Sequence, residues 1–252
     1  MHYKKILLSL TVLLASLALA PIAASAEVRP SPATNDTTTT TTETDKTAAA
    51  AQRLTIIKSR GAAEIARRLL TLKNLDARIN TTVKLSAGDK AALVAEVENT
   101  VSGLNTLKAQ LDADTTLDAA HTDAQSILNE YRVYALVMPK IHLLITADGQ
   151  QIIEAKLTTL AGKLQTRLNT AKTSGKDVTS LQAKLDDMTK QTAAAQSISS
   201  AVQAAVLPLQ PGDFNADHGI LAGYQAQLAK AHVDIEAAYN DAQAVYVGLK
   251  NL

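Results

Sequence analysis

The chain has 252 residues, with 25 Lys and Arg against 24 Asp and Glu, and it contains no cysteine. A balance so close to neutral gives no global attraction to nucleic acid or a membrane surface, and the missing thiols exclude disulfides and thiolate metal sites. Aromatic residues make up only 3% of the chain, so a surface for stacking bases is poorly supplied.

The first element in chain order is "MHYKKILLSLTVLLASLALAPIAASAEV". Lys4 and Lys5 form a basic start, Ile6 to Ala20 an apolar run, and Ala24-Ser25-Ala26 a small-residue cleavage site. That layout predicts a secretory signal peptide over residues 1–26, cut before Glu27. An uncleaved anchor is the alternative, but the run falls short of the ~20 residues a span requires and ends at Pro21. Removing Lys4 and Lys5 from the 25 basic side chains leaves 23 against 24 acidic ones. No second run of spanning length follows, and there is no cysteine to carry a lipid. The mature chain is expected to be exported by the general secretory route, to the cell envelope or beyond, without membrane insertion. Residues 27–47, rich in threonine with few apolar side chains, are expected to form a disordered stalk. About 205 residues are left to fold, enough for one elongated domain or two small ones.

From residue 48 onward the apolar residues recur at helical spacing, and strand signals are scarce. A first helix is predicted from about Ala49 to Asn80, with Leu54, Ile57, Gly61, Ile65, Leu69, Leu72 and Ile79 inward. A second follows Ser86 and carries Leu93, Val97, Val101, Leu104 and Leu111. A third runs through Leu117, Ala120, Ala124, Ile127, Tyr131, Tyr134 and Met138, and a fourth through Ile153, Leu157, Leu160, Leu164 and Leu168. The fifth has Leu181, Leu185, Met188, Ala195, Val202 and Val206, and ends at the "LPLQPGDFN" break. The last carries Leu221, Tyr224, Leu228, Ala231, Ile235, Ala238, Ala242, Val245 and Leu249 in unbroken 3-4 spacing, the seam of a coiled-coil-like bundle. "SAGD" at 86–89 and "SGKD" at 174–177 both read as helix starts, and Gly175 suits a left-handed position after the fourth helix. These elements predict an all-α fold: an elongated antiparallel bundle of about six helices, or two three-helix sets, over residues 48–252.

The stretch "YRVYALVMPKIHLLI" at 131–145 is the most apolar after the N-terminus. Its spacing places Tyr131, Tyr134 and Met138 in the core, with Val133, Leu136 and Val137 adding apolar surface off that seam. Pro139 predicts a break or kink between the third and fourth helices. Arg132, Lys140 and His142 are expected to extend their polar tips past the apolar surface to water.

No arrangement of residues points to catalysis. There is no Gly-x-Ser-x-Gly, phosphate loop or His-Glu-x-x-His, and His121, His142, His218 and His232 never pair at ligand spacing within a helix. "DFNADHG" alternates Asp213, Asn215 and Asp217 like a calcium loop, yet has His218 at the sixth position and Tyr224 at the twelfth. A helix cap is the better reading. Neither a cofactor, a metal nor a small-molecule substrate is called for, and a non-enzymatic role is expected. Charge offers one alternative. Arg53, Arg60 and Arg67 lie seven apart on the first helix, a stripe able to bind wall polymer, anionic lipid or nucleic acid.

The segments "RGAAEIARRLLTLKNLDARIN", "YRVYALVMPKIHLL" and "DFNADHGILAGYQAQL" resemble a family of exported, uncharacterised helical-bundle proteins common in ultrasmall bacteria. The resemblance covers roughly residues 58–250 and implies a bacterial envelope setting; it carries no activity and no site residues. The combined expectation is an envelope spacer or protein-interaction module, its partner an envelope protein or cell-wall component. Polyanion binding through the first helix is the alternative.

Overall fold

The computed structural model describes residues 43–252, and every regular element among them is helical. The segments expected to form a signal peptide and most of a stalk lie outside the described residues. Residues 43–47, assigned above to the stalk, are already helical. The chain divides into two compact units between Thr55 and Ile56. In the first, residues 43–55 are helical, and the Thr47 and Thr55 hydroxyls donate to carbonyls one turn back. The second unit, Ile56–Leu252, holds the bundle, so its boundary falls eight residues after the expected 48.

The elements are α1 (Glu43–Thr81), α2 (Ala87–Ala113), α3 (Leu117–Asn129), a π-helical turn (Val133–Val137) that runs into α4 (Met138–Thr173), α5 (Thr179–Val206), the short α6 (Pro211–Ala216) and α7 (Ile220–Lys250). Ser86 starts α2 as its spacing predicts: its Oγ accepts from the Asp89 N–H at 3.0 Å. Ser174 does not repeat this. It ends α4, its hydroxyl donating back to the Thr170 carbonyl, and Gly175 follows at φ +78°. Asp177 instead receives the Thr179 N–H at 3.0 Å. The two similar tetrapeptides thus serve opposite helix ends.

Paired side chains give the direction of each helix. Across α1 and α2, Lys58 donates to the Asp114 carbonyl, and Gly61 meets Leu111, so these two run antiparallel. Glu96 with Lys140 and Asp89 with Asp148 make α2 and α4 antiparallel too. Thr71 with Tyr134 and Arg78 with His142 show the α4 column running parallel to α1. Gln151 with Gln203, Glu154 with Ser199, and Gln165 with Gln182 set α5 antiparallel to α4. Lys184 with Asp241 and Leu181 with Gly248 set α7 antiparallel to α5. Two three-helix sets therefore exist, and they share α4. One, joined by the side-chain contacts above, is α1, α2 and the α3–α4 column; the other is α4, α5 and α7.

Sharing explains the burial along α4. Between Lys140 and Glu154 it is enclosed on most sides, while from Leu157 to Leu168 only every third or fourth residue is buried. The α7 seam behaves as predicted, with Leu228, Ala231, Ile235, Ala238, Ala242 and Val245 buried. Gly61 marks the closest approach in the first set: a Cβ there would stand 2.4 Å from Leu111 Cδ2.

The 131–145 stretch needs a correction. Its seam does not continue from α3, because α3 stops at Asn129 and Arg132 takes a left-handed φ of 41°. That break resets the phase. Val133, Leu136 and Val137 become the buried residues, Tyr131 and Met138 are half-buried, and Tyr134 is 40% exposed. Pro139 stands in the first turn of α4, where its missing N–H is harmless, and the interruption lies before it at residues 130–132. The left-handed Arg132 is held from outside. Its Nε donates to Asn215 Oδ1 at 2.6 Å, its guanidinium lies over the Phe214 ring, and Asn215 Nδ2 donates to the Asn129 carbonyl.

Candidate functional site

α4 carries four polar side chains at positions where its phase buries everything: Lys140, Asp148, Gln150 and Glu154. Each costs free energy unless a partner meets it. Lys140 has no exposed surface; its Nζ donates to Glu96 Oε2 at 2.7 Å and to the Leu209 carbonyl at 2.9 Å. The side chain expected to reach water therefore ends in an internal ion pair, because α2 and the link after α5 close over it. Gln150 Nε2 donates to the Leu228 carbonyl at 2.9 Å, joining α4 to α7.

Gln150 Oε1 is buried without a partner, and one oxygen of each of the two acids is in the same position. Glu154 Oε2 accepts from Ser199 Oγ at 2.9 Å, while Oε1 is buried without a partner. Burial pushes this carboxyl up to about 7, against the opposing pull of the Ser199 hydroxyl. Asp148 Oδ2 accepts the Ser86 N–H at 2.6 Å, Oδ1 has no donor, and the Asp89 carboxyl lies against it. Burial pushes Asp148 up to about 6; the Ser86 N–H pulls it down and the Asp89 charge pushes it further up. The half-buried His142 accepts from Arg78, and burial plus that guanidinium hold its imidazole below the ordinary value.

The residues singled out from the sequence fall elsewhere. Arg53 is exposed within the unit that ends at Thr55. Arg60 and Arg67 are exposed on α1 in the bundle unit. Arg67 is paired with Glu64, which also holds the buried Arg68, so half of that charge is answered locally. Arg68 lies over the Tyr134 ring, 5.0 Å from its centroid. Asp213 receives the Gln210 N–H, Asp217 receives the Gly219 N–H, and Asn215 is engaged at Arg132; these serve as caps and clamps. His218 packs edge-on against Phe214, whereas His142 faces Arg78. Among the described residues no three His, Asp or Glu side chains converge at metal-binding range.

The sequence reading missed a second seam on α1. Ile56, Ser59, Ala63, Ala66, Leu70, Lys73 and Ala77 follow 3-4 spacing and are all exposed, with Leu70 at 61%. The buried seam of α1 lies at Gly61, Ile65, Arg68, Leu72, Leu75 and Ile79. Beside the outward seam, an open groove of about 620 Å³ separates α1 from α2, lined by Leu69, Leu72, Lys73, Val97 and Val101. No described helix is long and apolar enough to cross a membrane. Comparison with protein families, curated proteins and solved structures finds no match to this chain.

Proposed function

We propose that this is a non-enzymatic exported protein of the bacterial cell envelope, related to the helical family that its sequence resembles, acting as a protein-interaction module and spacer. The observation that supports this reading most is the outward seam of α1. A helix needs one apolar stripe to join its own bundle, and α1 has two. Seven-residue recurrence of Ile56, Ala63, Leu70 and Ala77 suits another helix lying alongside. Arg60 beside the seam and Lys73 within it make no ion pair among the described residues, so the fitting partner is an amphipathic helix with acidic side chains along its contact face. A second copy of this chain fits less well, since an antiparallel pairing would bring Arg60 and Arg67 against their own kind.

The test is a pull-down from envelope extract with residues 27–252, beside an Ile56→Asp, Leu70→Asp variant of unchanged helicity. The reading expects a discrete protein retained by the wild type, lost by the variant, and bound again through one acidic helical segment made as a peptide. Retention unaffected by the variant, or sedimentation showing that the chain only pairs with itself, would overturn it. Polyanion binding through Arg53, Arg60 and Arg67 is the second reading. It predicts retention on a heparin column that falls steeply with salt and is lost on changing all three arginines to Glu.

A further inference from the structure

The start of α2 is tied to α4 and α5 through a pair of acids that no sequence motif announced. Ser86, the cap of α2, donates its N–H to Asp148 Oδ2 at 2.6 Å. Asp89, in the first turn of α2, accepts from Gln203 Nε2 on α5. The Gln203 amide is oriented by Gln151 of α4, whose Nε2 donates to Gln203 Oε1 at 2.8 Å, so its NH2 group must face Asp89. One oxygen of each carboxyl group is thus occupied by an N–H donor. The inner face is different: Asp148 Oδ1 is buried, receives no donor, and has Asp89 as its neighbour.

Two ionised carboxylates cannot rest in contact there without something positive between them. A metal ion would need several more oxygen ligands, and the groups surrounding the pair are N–H donors. One proton meets the geometry without any added atom, converting two opposed acceptors into a donor and an acceptor. We propose that Asp89 and Asp148 share a single proton and form a pH-dependent latch, which fastens residues 82–89 to α4 and α5 and releases them when the proton leaves.

The charged groups around the pair are consistent with release. Lys84, in the link before α2, lays its stem against Gly149, where a Cβ would stand 3.4 Å from Lys84 Cδ. Lys90 on α2 spends its ammonium on the Asn80 and Thr82 carbonyls, at 3.1 Å each. From α5 and α4 the pair meets the neutral Gln203 and Gln151. The separation of Asp148 from the ordinary carboxylate range, to about 6, places the change between mildly acidic and neutral conditions. Glu154 lies on the same helix and titrates in a similar range, but its hydrogen-bond partner is Ser199 on α5, and neither of its oxygens bonds to residues 82–89. The latch does not depend on what α1 binds.

Hydrogen exchange of the full chain, corrected for intrinsic rates, tests this on peptides covering residues 82–93 between pH 5 and pH 8. The wild type should lose at least ~10-fold more protection there than in α7 peptides as pH rises, the α7 peptides reporting the change in global stability. Asp148→Asn keeps the shape, can still accept from Ser86, and can donate to Asp89 at every pH; its protection should stay flat. Glu154→Gln should retain the wild-type profile at 82–93. A wild-type profile independent of pH, or one that Asp148→Asn leaves unchanged and Glu154→Gln abolishes, would overturn the latch. Should Asp148→Asn fail to fold, carboxyl ¹³C titration of Asp148 in the wild type decides the matter. A midpoint well above the ordinary carboxylate range is expected, and an ordinary midpoint would contradict the shared proton.

Discussion

Glu154 illustrates what a single buried side chain does to the whole fold. Its carboxyl has no exposed surface, one hydroxyl partner, and a proton affinity raised to about 7 from an ordinary 4.5. The folded chain therefore binds this proton more tightly than the unfolded chain does. Its contribution to stability is full below about 4.5 and is lost as pH rises through about 7. Asp148 acts in the same sense, over the window from 3.8 to about 6. Urea unfolding should accordingly show lower stability at pH 8 than at pH 5, and Glu154→Gln should reduce that difference by raising stability at pH 8. Equal stability at the two values would contradict the protonated, buried acid. A second residue-scale test separates the phases of the 133–137 turn. Leu136→Ala should cost ~2–5 kcal/mol, because that side chain is fully buried. Tyr134→Ala should cost less, having only the Arg68 stacking and a 3.3 Å contact with Thr71 to lose. The reverse ranking in thermal melts would restore the continuous seam.

Among the elements, α4 determines how much could be learned before a structure existed. Its C-terminal half follows the 3-4 rule, and so do α7 and much of α5; a helix touching two neighbours shows one stripe, which periodicity detects. The N-terminal half of α4 touches both three-helix sets and is buried almost all round. No stripe remains to be read there, and buried polar residues look like surface ones. Lys140 was misplaced for that reason, and Asp148 and Glu154 passed unnoticed. The stretch from 131 to 138 failed differently. Its spacing continued that of α3, while the left-handed Arg132 that resets it is held by Phe214 and Asn215, some eighty residues away in sequence. The caps behaved unevenly: Ser86 starts α2, whereas Ser174 in a similar tetrapeptide ends α4. The outward seam of α1 was visible in principle, but alanine or serine at four of its seven positions and Lys73 at a fifth made it resemble a solvated face. One prediction belongs to this scale. Lys140→Ala should destabilise by ~3–5 kcal/mol, since it leaves Glu96 facing the apolar end of α4, while Lys140→Met with Glu96→Leu should cost far less. Equal losses in the single and double variants would show that the ion pair contributes beyond mutual neutralisation.

At the scale of the whole molecule, the polar contacts and the unpartnered surface lie in different places. The buried acids, Lys140 and Gln150 draw α2, α4, α5 and α7 together, and the outward seam of α1 is left facing solvent. That division supports a stable body presenting one helix to a partner. The export proposal carries its own check: the chain isolated from producing cells should begin at Glu27, and a chain beginning at Met1 would contradict signal cleavage. The docking proposal is tested most directly by placing a photo-crosslinking residue at position 70 in the full chain and irradiating the cells that make it. The account predicts one discrete protein adduct from position 70, absent with Ile56→Asp and absent when the crosslinker stands at the exposed position 197 of α5. No adduct from position 70, or the same adducts from both positions, would contradict it.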